Sequence, residues 1–172
     1  MLSLLLLRHA KSSWDDSVLD DFDRPLNARG LKAAPLVGQW IAENNLSPGL
    51  IICSGARRTR ETLGLILPFQ RGDQDIHIED GIYRADGKHD LLGRLHSIGK
   101  GPAQVMIIGH NPALQELILA LSGSGNADDL TQIAVKYPTA SLAEIQFSGT
   151  DWSRISEGGG DLVKFVMPRK IE

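Results

Sequence analysis

Short apolar runs alternate with amphipathic patterns along the chain. Six runs have the length and composition of β-strands, the third being the weakest, and they cover residues 2–7, 50–53, 75–78, 104–108, 141–147 and 161–166. Four segments between or after these runs repeat apolar residues at helical spacing, at residues 31–41, 62–67, 91–98 and 114–121. Pro35 interrupts the first of them. The pattern predicts strands and helices in alternation.

The order of these elements predicts the fold class. Nearly continuous aliphatic strands separated by helices indicate a sheet buried on both faces, with right-handed crossovers between parallel strands. Only the polar loop 148–160 separates the last two runs, which favours an antiparallel hairpin. We therefore predict a single α/β domain over residues 1–172, a three-layer α/β/α fold with a mostly parallel central sheet and an antiparallel C-terminal edge hairpin.

Composition restricts the possible locations and partners. The chain has 172 residues, of which 42% are hydrophobic and 23% charged, values typical of one globular domain. Its single cysteine excludes an internal disulfide and favours a reducing compartment. The first apolar run has no basic residue before it and is short for a secretion signal, so we expect a cytoplasmic protein. With a net charge of -3, neither nucleic acid nor a membrane is expected as a partner.

Polar and basic residues follow three of the predicted strands directly. They are Arg8 and His9, then Ser54, Arg57, Arg58 and Arg60, and finally His110 and Asn111. In α/β sheets ligands bind beyond the carboxyl ends of the strands, so these side chains are expected at one mouth. Like charges gathered there repel each other unless an anion joins them. The pattern predicts an anion site.

Phosphate is the anion that these residues fit best. Arginine offers planar, bidentate donors to phosphate oxygens. Asn111 is expected to cap a helix with Pro112 in its first position, which would aim free backbone N–H groups at the same place. Nearby arginines disfavour a protonated histidine, so His9 is expected to be neutral and nucleophilic.

Three motifs, "LLLRHA", "SGARRTRET" and "IIGHNP", resemble the histidine phosphatase superfamily with its phosphoglycerate-mutase-like fold in their order and spacing. "RHAKSSW", "DRPLNARG" and the tail from "KYPTASLAEIQF" to "MPRK" are similar to the SixA-type phosphohistidine phosphatase branch. The resemblance extends over nearly the whole chain. It implies a metal-independent phosphatase that needs no cofactor.

The resemblance also implies roles for individual residues. His9 would be the nucleophile that becomes phosphorylated, Arg8 would hold the phosphate, and His110 would donate a hydrogen bond to the phosphoryl oxygens. The family's Ser-x-x-x-Arg-x-x-x-Thr pattern, counted from Ser54, reaches Arg58 and Thr62 and passes over Arg57. The expected catalytic residues are Arg8, His9, Arg58 and His110, and the expected substrate-binding residues are Arg8, Ser12, Arg58, His110 and Asn111.

Two positions depart from the family pattern. Ala10 replaces the usual glycine after the histidine, and Asp15 stands where many relatives place an asparagine on the phosphate. A carboxylate is a poor ligand for an anion. The acidic segment around it, residues 15–23, is interpreted as a solvated loop or as a gate or selector for basic partners.

No residue is clearly marked as a general acid. The candidates are Glu79 and Asp80, after the weak third strand. An alkoxide leaving group needs an acid, whereas protonated phosphoimidazole leaves as neutral imidazole. The preferred substrate is therefore phosphohistidine on a protein. The alternatives are a phosphatase for small phosphate esters, and a module that binds phosphate or a phosphopeptide without turnover.

Other chemistry is less well supported by the sequence. A cysteine phosphatase needs an arginine six positions after Cys53, where this chain has Thr59, so Cys53 is expected to be a buried strand residue. A metal between the two predicted site histidines would be opposed by the arginines, and none is expected. Trp14 and Tyr83 are expected at the pocket mouth or in packing.

Overall fold

A seven-stranded sheet forms the centre of the molecule, which is described over residues 1–171 from a computed structural model. The strands are β1 (Leu2–Arg8), β2 (Leu50–Ser54), β3 (Asp75–Glu79), β4 (Gln104–Gly109), β5 (Ser122–Gly125), β6 (Leu142–Phe147) and β7 (Gly160–Val166). The helices are α1 (Ala28–Glu43), α2 (Arg57–Ile66), α3 (Asp80–Arg84), α4 (Lys88–His96), α5 (Ala113–Leu121) and α6 (Ala127–Val135). Four short 3-10 turns lie at Asp21–Asp23, Leu67–Phe69, Trp152–Arg154 and Pro168–Lys170.

The strand order is β3-β2-β4-β1-β6-β7-β5. β3, β2, β4 and β1 are parallel, and β6 runs antiparallel to both β1 and β7. The predicted mostly parallel sheet and C-terminal antiparallel hairpin are confirmed. A strand that the sequence did not predict, β5, pairs with β7 on its outer side. Its sequence, SGSG, contains no apolar side chain that would signal a strand.

The leucines of β1 explain why the sheet is covered on both faces. Leu4 and Leu6 pack into the core beneath α4 and α5, whereas Leu5 and Leu7 pack beneath α1 and α2. All four are fully buried. Because successive side chains of a strand point to opposite faces, a run without polar residues requires a hydrophobic layer on each side. The predicted three-layer architecture follows from this run.

The first turn of α1 fixes the segment that follows β1. Asn27 caps the helix by accepting from the Gly30 N–H, and its own N–H donates to the Lys11 carbonyl at 2.9 Å. A Cβ on residue 30 would collide with that carbonyl, so glycine permits the close approach. α1 continues through Pro35 to Glu43. None of the helices within residues 1–171 is both long and apolar enough to cross a bilayer.

Candidate active site

The carboxyl ends of β1, β2 and β4 bring the predicted residues together. Arg8 pairs with Gly109 in the register of β1 and β4, so His9 and His110 follow at the same level. Their ring centroids are 5.2 Å apart. Arg58, in the first turn of α2, places Nη2 at 3.4 Å from Nδ1 of His110. Arg8, His9, Arg58 and His110 are therefore one group of contacting or neighbouring side chains, which we name the catalytic cluster after its predicted role.

His9 is held as a neutral ring of one tautomer. Its Nδ1 lies 2.7 Å from the Ala10 carbonyl, which can only accept, so Nδ1 carries the proton and Nε2 has the free lone pair. Burial is the main cause that lowers the pKa of His9, and together with the neighbouring His110, Arg58 and Arg8 it brings this pKa to about 3, although the Ala10 hydrogen bond acts in the opposite direction. An uncharged imidazole with a free nitrogen is a nucleophile.

Thr62 links the loop after β1 to helix α2. Its hydroxyl accepts from the Ala10 N–H at 3.0 Å and donates to the Arg58 carbonyl at 2.7 Å. The residue is buried, as is Ala10. This pair of bonds fixes the residue after His9 relative to the helix that carries Arg58. The motif count includes Thr62, but no local pattern predicts its contact with Ala10.

The structure distinguishes the two adjacent arginines of α2. Arg58 is 5% exposed and turns into the cluster, whereas the Arg57 side chain is 47% exposed and pairs with Glu61, with Nε and Oε1 at 2.7 Å. The inward face of α2 is formed by its buried residues, Arg58, Thr59, Thr62, Leu63 and Ile66. Helical periodicity thus directs Arg58, and not Arg57, towards the two histidines.

Asp21 accepts hydrogen bonds from the guanidinium of Arg58. Its carbonyl and its Oδ2 accept from Arg58 at 2.6 and 3.0 Å, and Oδ1 accepts from Arg24 at 2.9 and 3.0 Å. Tyr83 donates its hydroxyl to Oδ2 at 3.0 Å. Although partial burial acts in the opposite direction, these hydrogen bonds lower the pKa of Asp21 to about 2. The sequence predicts only an acidic loop, because no local pattern shows which of its carboxylates reaches the ends of the strands.

His110 is neutral and both its ring nitrogens are engaged. Nδ1 faces the Arg58 guanidinium, which only donates, so the proton is on Nε2, and Nε2 donates to Ser54 Oγ at 2.7 Å. Burial, followed by the positive charge of Arg58, lowers the pKa of His110 to about 3. The Tyr83 ring meets His110 edge-on, with centroids 5.5 Å apart. The single N–H of the ring is thus already used by Ser54.

Arg8 and Asn111 share one backbone acceptor, the carbonyl of Tyr137. Arg8 Nη1 donates to it at 2.7 Å and Asn111 Nδ2 at 3.1 Å. The expectation that Asn111 caps α5 is wrong, because the helix begins at Ala113 with Pro112 in the cap position. The Asn111 Nδ2 group donates to a carbonyl 26 residues away and to Gln115 Oε1, and no backbone N–H of α5 donates to Asn111 Oδ1, the atom that a cap would use. Burial also lowers the pKa of Arg8.

Sequence relatives and a family model establish the ancestry of the chain. The model of the histidine phosphatase superfamily (branch 1) matches residues 4–83. An uncharacterized protein of Mycobacterium leprae is 33% identical over 170 residues, which cover 95% of this chain and 100% of that one. The chain belongs to the histidine phosphatase superfamily. An uncharacterized chloroplastic protein of Arabidopsis thaliana is also 33% identical, over 96% of this chain and 77% of its own length.

Solved structures place this histidine phosphatase in the SixA-type branch. A provisionally named phosphohistidine phosphatase SixA from Agrobacterium tumefaciens superposes with a TM-score of 0.80 and 29% identity, covering 97% of this chain and 98% of that one. The protein histidine phosphatase SixA complexed with tungstate gives a TM-score of 0.79 over 99% and 100% of the two chains. At 17% identity, the second match supports the fold alone.

The remaining predicted residues of this histidine phosphatase have partners outside the cluster. Ser12 is 5% exposed and accepts from Arg24 Nη1 at 2.7 Å, next to the loop that carries Asp21. Asp15 is exposed, and its N–H donates to Ser13 Oγ. The structure therefore does not bring either residue into contact with the four side chains of the cluster.

The two candidate acids differ in their surroundings. Glu79 accepts a bidentate pair from Arg94, with the closest approach at 2.8 Å, and this interaction lowers its pKa. Asp80 begins α3 and directs Oδ1 to the position that a Cβ on Gly55 would occupy, beside the turn between β2 and α2. The Asp80 side chain thus lies against the turn that leads to Arg58, whereas the Glu79 side chain is held by Arg94.

Neither Cys53 nor Trp14 belongs to the cluster. Cys53 is fully buried in β2, and burial raises the pKa of its thiol to about 12, as expected of a packing residue. Trp14 is 70% exposed and stacks on the Arg24 guanidinium, 3.6 Å from the ring centroid. Within residues 1–171 no group of three or more potential metal ligands is found.

Proposed function

We propose that this histidine phosphatase hydrolyses phosphohistidine on a protein, without a metal ion, by way of phosphorylated His9. The observation that carries the proposal is the neutral, buried His9 with a free Nε2 beside two guanidinium groups. The Arg8 and Arg58 guanidinium groups can bind the phosphoryl oxygens. The unprotonated Nε2 of His9 is then suited to attack the phosphorus atom.

The reaction has two displacements. Substrate oxygens bind Arg8 and Arg58, and Nε2 of His9 attacks phosphorus in line, so that a new N–P bond forms as the N–P bond of the substrate breaks. The substrate imidazole leaves neutral because it already carries its proton. Water then attacks phospho-His9, the second N–P bond breaks, and the proton lost by the water leaves with phosphate or solvent, which restores His9.

Asp21 has a defined place in this cycle. Its carboxylate occupies the same guanidinium that the phosphoryl group would use. Two anions on one arginine repel each other, so substrate must displace the Asp21 carboxylate or share Arg58 with it. Before substrate binds, the Asp21 carboxylate gives the buried Arg58 guanidinium a partner of opposite charge.

The state of the carboxyl groups supports phosphohistidine over an ester. A general acid at neutral pH needs a raised pKa. Every carboxyl group with a shifted pKa in the described part of the chain has it lowered, including Asp21 and Glu79. A substrate that brings its own proton on the leaving nitrogen suits such a site.

The test compares His9→Ala with wild type on a phosphohistidine peptide and on an aryl phosphate, with chelator present. We expect wild type to turn over the peptide and to show acid-labile phosphate after rapid quench, and His9→Ala to lose both by a factor of about 10⁴ or more. His89→Ala, at an exposed position on α4, is the matched control. Phosphate binding by wild type without turnover or labelling would establish a binding module instead.

A small-ester phosphatase is the second candidate, favoured by the contact of Asp80 with Gly55. If Asp80 protonates an alkoxide, Asp80→Asn lowers kcat on an alkyl phosphate by about 10²-fold or more and leaves the phosphohistidine peptide nearly unaffected. Glu79→Gln is the control, since Glu79 is held by Arg94. Equal kcat of Asp80→Asn and wild type on the alkyl phosphate would exclude this role.

A further inference from the structure

A second cationic region, here called the basic groove, lies at the same edge of the sheet as the catalytic cluster. Its volume is about 330 Å³. Five cationic residues line it, contributed by several segments of the chain: Lys11, Arg29, Lys32, Lys136 and Arg169. Apolar atoms of Ala33, Pro138 and Met167 form part of its wall. No carboxylate lines it within residues 1–171.

Two of its walls continue directly into the active site. Lys11 is the second residue after His9. Thr139 precedes Ala140, whose N–H lies 3.0 Å from the carbonyls of both Arg8 and His9. At the far side, β7 ends level with β1, because Leu142 pairs with Leu7 and with Val166. Two strand spacings, about 10 Å, separate these strands.

The ion pairs of residues 1–171 show how far the cations of the basic groove are neutralised. None of the five forms an ion pair with a carboxylate in the part of the chain that the structure describes. The whole chain nevertheless carries a net charge of -3, so positive charge is concentrated here against the overall balance. Such a concentration creates a local potential that attracts anions.

We infer that the basic groove docks an acidic segment that flanks the phosphohistidine of the protein substrate, an inference that rests on the proposed function. The volume corresponds to roughly ten water molecules, more than one phosphate needs. Three of the five cations are lysines, whose flexible point charges suit several carboxylates better than one fixed anion. The apolar wall offers contact to the stems of the docked side chains.

Direct binding tests the groove independently of turnover. The probe is a fluorescein-labelled peptide of about ten residues with alternating glutamate and alanine, measured by anisotropy at low salt. We expect Lys32→Glu/Lys136→Glu to weaken binding about tenfold or more relative to wild type. Arg71→Glu/Lys100→Glu is the control, because it makes the same charge change at exposed positions before β3 and β4, at the opposite edge. Equal binding by both double variants would overturn the inference.

Turnover separates this inference from the proposed function. Wild type is expected to show a kcat/KM about tenfold higher on a phosphohistidine peptide with glutamate flanks than on one with serine flanks, and the ratio should approach one in Lys32→Glu/Lys136→Glu. An aryl phosphate, which has no flanks, should be turned over equally by both proteins. Turnover without any preference for acidic flanks refutes the docking inference alone. Peptide binding in the groove without any turnover refutes the proposed function alone.

The same assays distinguish another occupant. If inorganic pyrophosphate binds the groove and the glutamate peptide does not, the site takes a small polyphosphate and the inference is wrong. Pyrophosphate binding is measured directly by isothermal titration calorimetry, and Lys32→Glu/Lys136→Glu shows whether pyrophosphate uses the cations of the groove.

Discussion

The catalytic cluster and the basic groove lie at one edge of one sheet and use the same residue types differently. In the cluster, Arg8 donates to the Tyr137 carbonyl and Arg58 to Asp21. In the groove, no cation has a carboxylate partner within residues 1–171. Buried charges require partners, whereas exposed ones are solvated by water. The paired arginines of the cluster therefore have fixed positions, whereas the cations of the groove contribute a positive electrostatic potential.

Among the effects that distinguish the two regions, the largest is expected for the paired cations. Arg58→Ala removes a donor to the transferring phosphoryl group and should lower kcat/KM on an aryl phosphate by about 10²- to 10³-fold. Arg57→Ala, one residue away and exposed, should change it less than about twofold. Steady-state rates decide the matter. Comparable losses in Arg57→Ala and Arg58→Ala would mean that the inward orientation of Arg58 on α2 does not decide which arginine binds the phosphoryl group.

The second effect concerns the pH dependence of stability. The pKa of His9 and of His110 is about 3 in the folded protein and about 6.5 when unfolded, so between these values the unfolded state binds the protons. The free energy of unfolding should fall as pH decreases through this window, by about 1.4 kcal/mol per pH unit for each histidine. Denaturant titrations at pH 6 and pH 5 measure it.

Replacement of one histidine tests whether the neutral histidines cause this pH dependence of stability. His9→Asn should reduce the slope by the share of one proton, and His89→Asn, at an exposed position, should keep the wild-type slope. An unchanged slope in His9→Asn would show that the cluster does not hold a neutral imidazole in the folded state.

A smaller effect is expected for the anion already present in the cluster. Asp21→Asn keeps an oxygen for Arg58 but removes the negative charge that repels phosphate. Inorganic phosphate should inhibit this variant about fivefold more strongly, as expected for the loss of about 1 kcal/mol of repulsion. Inhibition constants with an aryl phosphate as substrate provide the measurement. Asp23→Asn, in the same loop, is the control, and weaker inhibition of Asp21→Asn would mean that the carboxylate mainly orients Arg58.

The smallest effect is expected for salt acting on the catalytic cluster, and it separates the cluster from the groove. Buried charges are screened less than exposed ones. Raising the NaCl concentration from about 50 to 500 mM should change kcat/KM on an aryl phosphate less than about twofold and should abolish the preference for acidic flanks, as the Debye length falls below about 5 Å. A preference that survives at high salt would point to shape rather than charge in the groove.

The structural features that depend on residues close in sequence could be predicted. Those that depend on contacts between distant residues could not. The leucines of β1 and the polar residues after it lie within one segment, and so does the helical spacing from Ser54 to Arg58. The approach of Asp21 to Arg58 spans 37 residues, and the Asn111 side chain, expected to cap α5, donates to the Tyr137 carbonyl 26 residues away. The β5 strand lacks side-chain signals because it forms by backbone pairing with β7.

The position of Cys53 has a consequence for oxidative stress. This chain's only cysteine is sealed in β2 with a thiol whose pKa is about 12, and the proposed nucleophile is a nitrogen. Peroxide and alkylating agents attack exposed thiolates, so dilute hydrogen peroxide or iodoacetamide should leave the activity intact. Phosphatases that depend on a cysteine are silenced by the same reagents. A cell could thus keep this dephosphorylation running while oxidants silence its thiol-based counterparts.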